Sequence, residues 1–377
     1  MKPHTLALMA AGLLGSLAAE AAQVDIYLTG STAFRADVYA TIRSMYDGGA
    51  PTQTPGSSSS TSVITWSGTM NSLFGAGNTV VIHAFWSGSV DGTQKVAQNV
   101  TQPFLANATD TTTIVNHTSD FAFADNFQAN TTYTSPTLSD TVIGVVTFTW
   151  ARSVVTPASV NNMTPVLARS LFPVGSQSLG LFDGSSDMTT PVYLVGRDNG
   201  SGTYVNTLSE TGYGVFTAVS QNMLSPGADG TTGTSFIPYT LVNSDGFAGG
   251  FASGGSVAKV LSQNTTSSYA VGYLGISDAL NINGTGNGAP FFMKYNGVAF
   301  SKAAVQNGQY NFWSYEHLLS RSPLTPNQTT FLGSASTSGS FLNKVDAQLT
   351  SNVTGSGIAL STMLVSKPIE GGPINPQ

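Results

Sequence analysis

The segment Arg197-Asp198-Asn199-Gly200-Ser201-Gly202-Thr203 follows an apolar run from Pro191 to Gly196 and precedes a helical pattern that continues through Leu208. The order of strand, Gly/Ser turn and helix places a hydroxyl and unpaired backbone N–H groups at a helix N-terminus, where the helix dipole favours negative charge. The guanidinium group of Arg197 adds a fork of donors that matches a tetrahedral oxyanion. The segment therefore indicates an α/β fold and a candidate oxyanion site.

The same pattern occurs twice nearer the start of the chain. An alternating strand, Val24 to Leu28, runs into Thr29-Gly30-Ser31-Thr32-Ala33-Phe34 and then into a helical pattern. A second strand candidate, Thr79 to Phe85, runs into a polar turn that contains Ser89, and a further helical pattern follows. Each of these turns presents hydroxyls and backbone donors in the manner of the Arg197 segment.

A carboxylate ends a third short apolar run. Asp125 follows Asp120-Phe121-Ala122-Phe123-Ala124, so a strand would deliver it to the sheet edge. A carboxylate that faces an anion repels it unless a proton lies between them. Hydrogen phosphate carries such a proton at neutral pH and sulfate does not, so a buried acceptor would favour phosphate by roughly 1 to 3 kcal/mol.

The repeated alternation predicts an α/β protein with mostly parallel sheets flanked by helices. A chain of roughly 355 residues after processing exceeds the size of one hydrophobic core, so we expect two lobes. The long β-branched run from Val142 to Trp150 is a candidate crossing between them. We expect residues 23–140 and 285–377 to form one lobe and residues 141–284 the other, with the ligand between them.

Three later segments also give predictions. Apolar residues from Phe312 to Leu319 favour a helix, and a second helix is expected near Phe341 to Leu349. The segment from Pro368 onward is polar and is expected to be disordered.

Residues 1–22 have the pattern of a secretory signal peptide. Lys2 precedes an uncharged run rich in Leu and Ala, and Ala19-Glu20-Ala21 fits the small-residue cleavage site. We therefore expect a mature protein that starts near Ala22 or Gln23 and is periplasmic or secreted. The chain has no cysteine, which excludes a lipidated N-terminal cysteine, disulfides and thiolate chemistry.

The composition of the chain limits the ligands and partners that the protein can bind. Charged residues are 8% of the chain, against roughly 25% in an average soluble protein. The net charge of -6 argues against nucleic acid and anionic lipid, so an anionic ligand has to be captured by local geometry. His83, His117 and His317 lack metal-ligand spacing, and no nucleophile elbow or Walker-type phosphate loop is present. We expect neither an enzyme nor a cofactor.

The ordered set of segments resembles the phosphate-binding proteins of ABC transporters, which are periplasmic binding proteins of type II. The segments that carry the resemblance are Thr29 through Phe34, Gly88-Ser89, Asp120 through Asp125, Arg197 through Thr203, Val271-Gly272-Tyr273-Leu274-Gly275 and Asn311-Phe312-Trp313-Ser314-Tyr315-Glu316. By position, the resemblance implies these ligand contacts: Thr32, Ala33 and Phe34 (backbone N–H for the last two), Ser89, Asp125, Arg197, Ser201, Gly202 and Thr203. It also implies phosphate or a similar oxyanion as ligand and an ABC transporter permease as partner.

Three positions depart from the family pattern. Asn199 stands where an aspartate often orients the arginine, Ala33 replaces a common hydroxyl side chain, and Asp91 adds negative charge after the Ser89 turn. These departures affect ligand affinity and identity more than the fold.

Each feature also has a simpler interpretation. Taken alone, a Gly/Ser/Thr turn is most often a helix cap, Asp125 a cap or turn residue, and Arg197 a member of a surface ion pair. The alternative function is a surface-associated structural or adhesion protein that keeps the fold without transport, which the low charge and the Ser/Thr/Asn-rich loops would suit.

Overall fold

The computed structural model describes residues 22–56, 61–243, 246–264, 268–284, 286–351 and 357–377. The predicted signal peptide lies outside these residues, apart from Ala22. The strands are β1 (Gln23–Gly30), β2 (Thr52–Thr54), β3 (Val63–Thr69), β4 (Thr79–Phe85), β5 (Thr101–Leu105), β6 (Ile114–Thr118), β7 (Phe121–Ala124), β8 (Ser139–Arg152), β9 (Asn162–Met163), β10 (Ser176–Ser178), β11 (Pro191–Val195), β12 (Asn222–Pro226), β13 (Gly233–Pro238), β14 (Tyr269–Gly275), β15 (Lys294–Tyr295), β16 (Trp313–Ser320), β17 (Gly357–Ile358), β18 (Val365–Ser366) and β19 (Asn375–Pro376). The helices are α1 (Arg35–Met45), α2 (Asn71–Phe74), α3 (Ser89–Gln98), α4 (Pro165–Leu171), α5 (Leu179–Asp183), α6 (Gly202–Thr211), α7 (Gly254–Leu261), α8 (Ile276–Ala279), α9 (Lys302–Gln306), α10 (Pro326–Leu332) and α11 (Phe341–Ser351).

One sheet runs through both lobes of this α/β fold, in the order β10-β11-β14-β8-β16-β7-β1-β4-β3-β2. The first lobe contains β7, β1 and β4, which pair in parallel, and the second contains β11 and β14, which also pair in parallel. The central strands β8 and β16 and the outer strands β2, β3 and β10 pair antiparallel. The predicted α/β architecture is confirmed, with the parallel pairing confined to the middle of each lobe.

Strand β8 joins the lobes. It is 14 residues long and buried from Ile143 to Ala151, as its β-branched and aromatic composition leads one to expect. It pairs with β16 along the end that adjoins the first lobe, and with β14 along the end that enters the second. The run from Val142 to Trp150 thus lies at the centre of the sheet and connects its β16 side to its β14 side.

The helices pack against the sheet and bring the turns to it. Helix α3 packs on β7 and β1, while α6 and α7 pack on β14. Helix α4 begins at Pro165 behind Thr164, whose side chain accepts the N–H of Leu167, as the cap-then-proline pattern predicts. Among the described helices, none combines the length and the apolar character that a membrane-spanning helix needs.

The helix expected from Phe312 to Leu319 is wrong, because most of this segment is strand β16. The strand lies between β7 and β8 and is buried on both faces. A strand that is covered on both faces needs no alternation of polar and apolar residues, so its sequence has the same continuous apolar run as a buried helix. The helix expected near Phe341 to Leu349 is present as α11.

The C-terminal segment is ordered, contrary to the prediction. Lys367 is 4% exposed, pairs with Glu210 at the end of α6, and lies 4.5 Å over the Trp313 ring. Glu370 accepts the backbone N–H of Phe127 and the side-chain amide of Asn130. The segment is therefore fixed by a few buried charged groups rather than by apolar side chains, and composition does not reveal such contacts.

Removing the Lys367 cation should destabilise the protein strongly. Lys367→Met leaves the Glu210 carboxylate buried without its cation, which costs about 3 to 5 kcal/mol of unfolding free energy. Urea unfolding followed by tryptophan fluorescence measures this change. The control is Lys259→Met, because the Lys259 side chain is 55% exposed where it pairs with Asp229, and its loss should cost at most about 1 kcal/mol. Equal losses of unfolding free energy in the two variants would contradict the stabilising role of the buried pair of Lys367 and Glu210.

Candidate functional site

The two strand-to-helix turns that carry Ser89 and Ser201 meet face to face between the lobes. The carbonyl of Gly200 accepts the N–H groups of Val90 (3.0 Å) and Asp91 (3.3 Å) in the first turn of α3. A Cβ on Gly88 would lie 2.7 Å from that carbonyl oxygen, so glycine permits the close approach. The positive end of the α3 dipole thus receives a backbone oxygen from the opposite lobe.

Asp125 lies at the centre of this contact. Its carboxylate accepts the Ser89 hydroxyl, and its backbone carbonyl accepts the side-chain amide of Asn206 on α6. The Cα of Gly202 packs so closely on the Asp125 carboxylate that a Cβ would overlap it. Three predicted site residues, Ser89, Asp125 and Gly202, are therefore brought together, and Asn206 joins them without having been predicted.

Burial dominates the electrostatics of Asp125. It raises the pKa of this carboxyl to about 6, and the nearby charge of Arg197 only partly opposes the shift. Oδ2 has no hydrogen-bond partner among the described residues. Glu316 on β16 is also buried, and burial and Asp125 raise its pKa well above the usual range. Burial thus raises the pKa of both neighbouring carboxyl groups, and Asp125, with a pKa of about 6, is still mostly ionised at neutral pH.

Arg197 is fully buried, with 1% of its surface exposed. Nε donates to the carbonyl of Phe251 (3.1 Å), Nη2 to that of Ala252 (2.7 Å), and Nη1 to the hydroxyl of Thr203 (3.5 Å). Ser201 is the N-cap residue of α6, and its backbone N–H donates to the carbonyl of Asp198 (3.2 Å). Arg197, Ser201 and Thr203 thus lie together, and backbone carbonyls orient the guanidinium.

The predicted site residues of the first turn, Thr32 to Phe34, have different surroundings. The N–H of Phe34 donates to the Ser31 hydroxyl (3.2 Å), and Ala33 faces Gly275, where a Cβ would lie 3.2 Å from that of Ala33. Thr32 lines a cavity of about 220 Å³ between the lobes, beside Arg35 and Ala252. In this conformation Phe34 N–H already has a protein acceptor, and Thr32 points to the cavity.

The three departures from the family pattern have local partners. The Asp91 carboxylate pairs with Lys95 at 3.5 Å, and Asn199 Oδ1 accepts the N–H of Ala248. Asp198 Oδ1 accepts the N–H of Gly200, and Oδ2 accepts the side-chain amide of Asn243, so this carboxylate stabilises the turn. Ala33 packs at the interlobe contact just described. The charge of Asp91 is thus compensated by Lys95, and the amide of Asn199 has a backbone partner.

Sequence reasoning missed Arg35 and Asp278. Both are buried beside the cleft, and the charges of Arg35 and Arg197 oppose the burial that raises the pKa of Asp278. Arg35 had a detectable signal, because a cation in the first turn of a helix opposes the helix dipole. Asp278 follows β14 by three residues, and only the fold brings it to the site.

The histidines lie away from these contacts. His83 is buried on β4 with its Nε2 3.2 Å from Asp25, and His117 lies on β6 and stacks on Tyr27. His317 lies on strand β16, and not in the expected helix, with Nδ1 2.8 Å from Asp140. Within the described residues, no group of three or more His, Asp or Glu side chains is placed to hold a metal ion.

Comparisons with known proteins support the fold. The structure matches a protein from Clostridium perfringens, described as a phosphate ABC transporter substrate-binding protein with bound phosphate, with a TM-score of 0.50 and 13% identity over 89% of this chain and 99% of that one. An ABC-type phosphate transport receptor from Vibrio cholerae matches with a TM-score of 0.44 and 14% identity over 81% and 90% of the two chains. No protein-family model and no curated protein matches the sequence. At such identity the first likeness shows that the two chains share a fold.

The raised pKa of Asp125 predicts a pH-dependent loss of stability in anion-free buffer. The ordinary pKa is 3.8, so between about pH 4 and 6 the folded protein keeps a proton that the unfolded chain has released. The stabilisation is present below about pH 4 and is lost as the pH rises through 6, in total about 3 kcal/mol. Urea unfolding of the wild type and of Asp125→Asn at several pH values gives the unfolding free energy as a function of pH for each protein, and the difference between the two curves is due to Asp125. Parallel curves for the two proteins would contradict the shifted pKa.

Proposed function

We propose that the protein binds phosphate, or a similar oxyanion, in the cleft between its lobes and takes part in ABC-type uptake outside the cytoplasm. The observation that carries the proposal is the buried Arg197 guanidinium beside the N-terminus of α6. A buried cation, a hydroxyl from Thr203 and the first N–H groups of a helix form a donor set suited to a tetrahedral anion. The shared fold with a phosphate-bound solute-binding protein supports the same assignment.

The proposed ligand contacts are those expected from the sequence: Thr32, Ala33, Phe34, Ser89, Asp125, Arg197, Ser201, Gly202 and Thr203. Asp125 supports a protonated ligand, because Oδ2 is a buried acceptor without a partner among the described residues. Such an acceptor can take the proton of hydrogen phosphate, whereas sulfate would leave it unpaired.

The bound anion would replace part of the present interlobe contact. At present the Gly200 carbonyl occupies the α3 N-terminus. We propose that residues 23–140 with 285–377 hinge against residues 141–284, so that the turns separate and admit the ligand. Reclosure would remove water from the anion and strengthen its charge-assisted hydrogen bonds. The mechanism is binding and release without covalent chemistry.

Arg197→Ala should weaken phosphate binding about 100-fold or more, because it removes the cation that is buried at the start of α6. Isothermal titration of anion-free protein measures the affinity. Arg321→Ala is the matched control, since Arg321 also donates to two backbone carbonyls, those of Val96 and Ala97, but lies away from the cleft. We expect this control to bind phosphate as the wild type does. Wild-type affinity in Arg197→Ala would exclude the site.

Asp125→Asn should reduce the preference for phosphate over sulfate roughly tenfold, because an amide can donate a hydrogen bond where the carboxylate only accepts. Titration of both anions near neutral pH gives the ratio for each protein. An unchanged ratio would show that Asp125 does not sense the ligand proton.

A surface-associated structural or adhesion role is the second candidate. It is favoured by the direct contact of Gly200 with α3, in which a backbone carbonyl of the protein itself accepts the first N–H groups of the helix. If the wild type binds neither phosphate nor sulfate in the titrations above, this role becomes the better proposal.

A further inference from the structure

The cavity beside Arg35 has features of a binding site that the proposed phosphate contacts do not explain. It measures about 220 Å³ and is lined from the first lobe by Thr32, Arg35 and Ser87, and from the second by Ala252 and Ser253. At about 30 Å³ for a water molecule, the volume corresponds to roughly seven waters. It therefore has room for a small chemical group at the interlobe boundary.

Arg35 brings an incompletely paired cation to this cavity. Arg35 is 9% exposed, and within the described residues its guanidinium makes one hydrogen bond, to the carbonyl of Thr61 at 3.4 Å. A guanidinium has five N–H donors, and a buried charge is costly unless it is paired. Its position at the start of α1 also opposes the helix dipole, so local structure does not account for an arginine here.

Thr32, which is also one of the proposed phosphate contacts, provides the second observation. It is 7% exposed, it lines the same cavity, and Oγ1 has no hydrogen-bond partner in the described part of the chain. A buried hydroxyl without a partner costs about 1 to 3 kcal/mol. A ligand with acceptor atoms in the cavity would satisfy both Thr32 and Arg35.

The local charges favour an anionic group there. Arg35 and Arg197 are both buried, and Asp278 interacts electrostatically with each of them. Arg197 also interacts with the Asp125 carboxyl group, so the two cations face two carboxyl groups. Arg35 itself makes one hydrogen bond among the described residues, and an acidic ligand group in the cavity would pair with its guanidinium directly.

The cavity adjoins the proposed oxyanion contacts and shares Thr32 with them. Its lining includes none of Arg197, Ser201, Gly202 and Thr203, but the carbonyl of Ala252, which lines it, accepts a hydrogen bond from Nη2 of Arg197 at 2.7 Å. One ligand can therefore span both places if it has two acidic groups joined by a short linker.

We propose that the cavity is a second anion subsite, so that the ligand is a small oxyanion with a second acidic group, which Arg35 and Thr32 bind. The inference rests on the proposed function, because the first oxyanion is assigned to Arg197 and the start of α6. The ligand class is a phosphate or phosphonate that carries a carboxylate or a second phosphoryl group.

Methylphosphonate and phosphonoacetate test this subsite, since they differ by one carboxylate. Titrated into the anion-free protein, phosphonoacetate should bind at least tenfold more tightly than methylphosphonate. Arg35→Gln should reduce the ratio of phosphonoacetate affinity to methylphosphonate affinity to about two or less. It should leave the methylphosphonate affinity within about threefold of wild type. Arg35→Lys keeps the charge but loses the donor fork, so it should retain part of the ratio.

The control is Arg43→Gln, on the same helix but outside the cavity lining, and it should keep the full ratio. A wild-type ratio near one, or equal weakening of both ligands by Arg35→Gln, would overturn the second subsite while phosphate binding stood. If the wild type bound neither phosphonate nor phosphate, the proposed function would fail and this inference with it. Thermal unfolding of each variant shows that a lost ratio is not a loss of folding.

Discussion

The pairing of β8 with strands of both lobes is the constraint on which the rest of the structure depends. Because one strand of 14 residues belongs to both halves of the sheet, the carboxyl ends of β4 and β11 lead into turns that face each other across the same boundary. Helices α3 and α6 then begin at that boundary and aim their positive dipole ends into it. The position of the candidate site therefore follows from the sheet that runs through both halves, and the turns supply the remaining groups.

The electrostatics of the boundary follow from burial. The protein carries few charges, yet it buries Arg35, Arg197, Asp125 and Asp278 close together. Burial raises the pKa of both acids, whereas the guanidinium of an arginine remains charged in proteins. Two fixed positive charges are thus buried between the lobes of a molecule with a net charge of -6, at the place where the proposed anion would bind against the overall field.

The sequence predicts the parts of this arrangement that are local. Strand β4, the crossing run in β8 and the cap of α4 follow from alternation, β-branched composition and a Thr-Pro pair. The turns at Ser89 and Ser201 were recognisable for the same reason, since each lies between a strand and a helix. Strand β16 was predicted as a helix, because burial on both faces removes the alternation of polar and apolar residues by which a strand is distinguished from a helix. Asp278 and Asn206 reach the site only through the tertiary fold, so no local pattern marks them.

The buried pair of Lys367 and Glu210 joins residues that are 157 positions apart in the chain. Contacts of such long range form late in folding, because the loop between them must be closed before they contribute. Glu370 holds the Phe127 backbone near the end of the first lobe in the same way. During synthesis from the N-terminus, these contacts can form only after residues 367–370 have been made. They therefore connect parts of the molecule whose own strands and helices are already complete, and full resistance to proteases would begin only when they have formed.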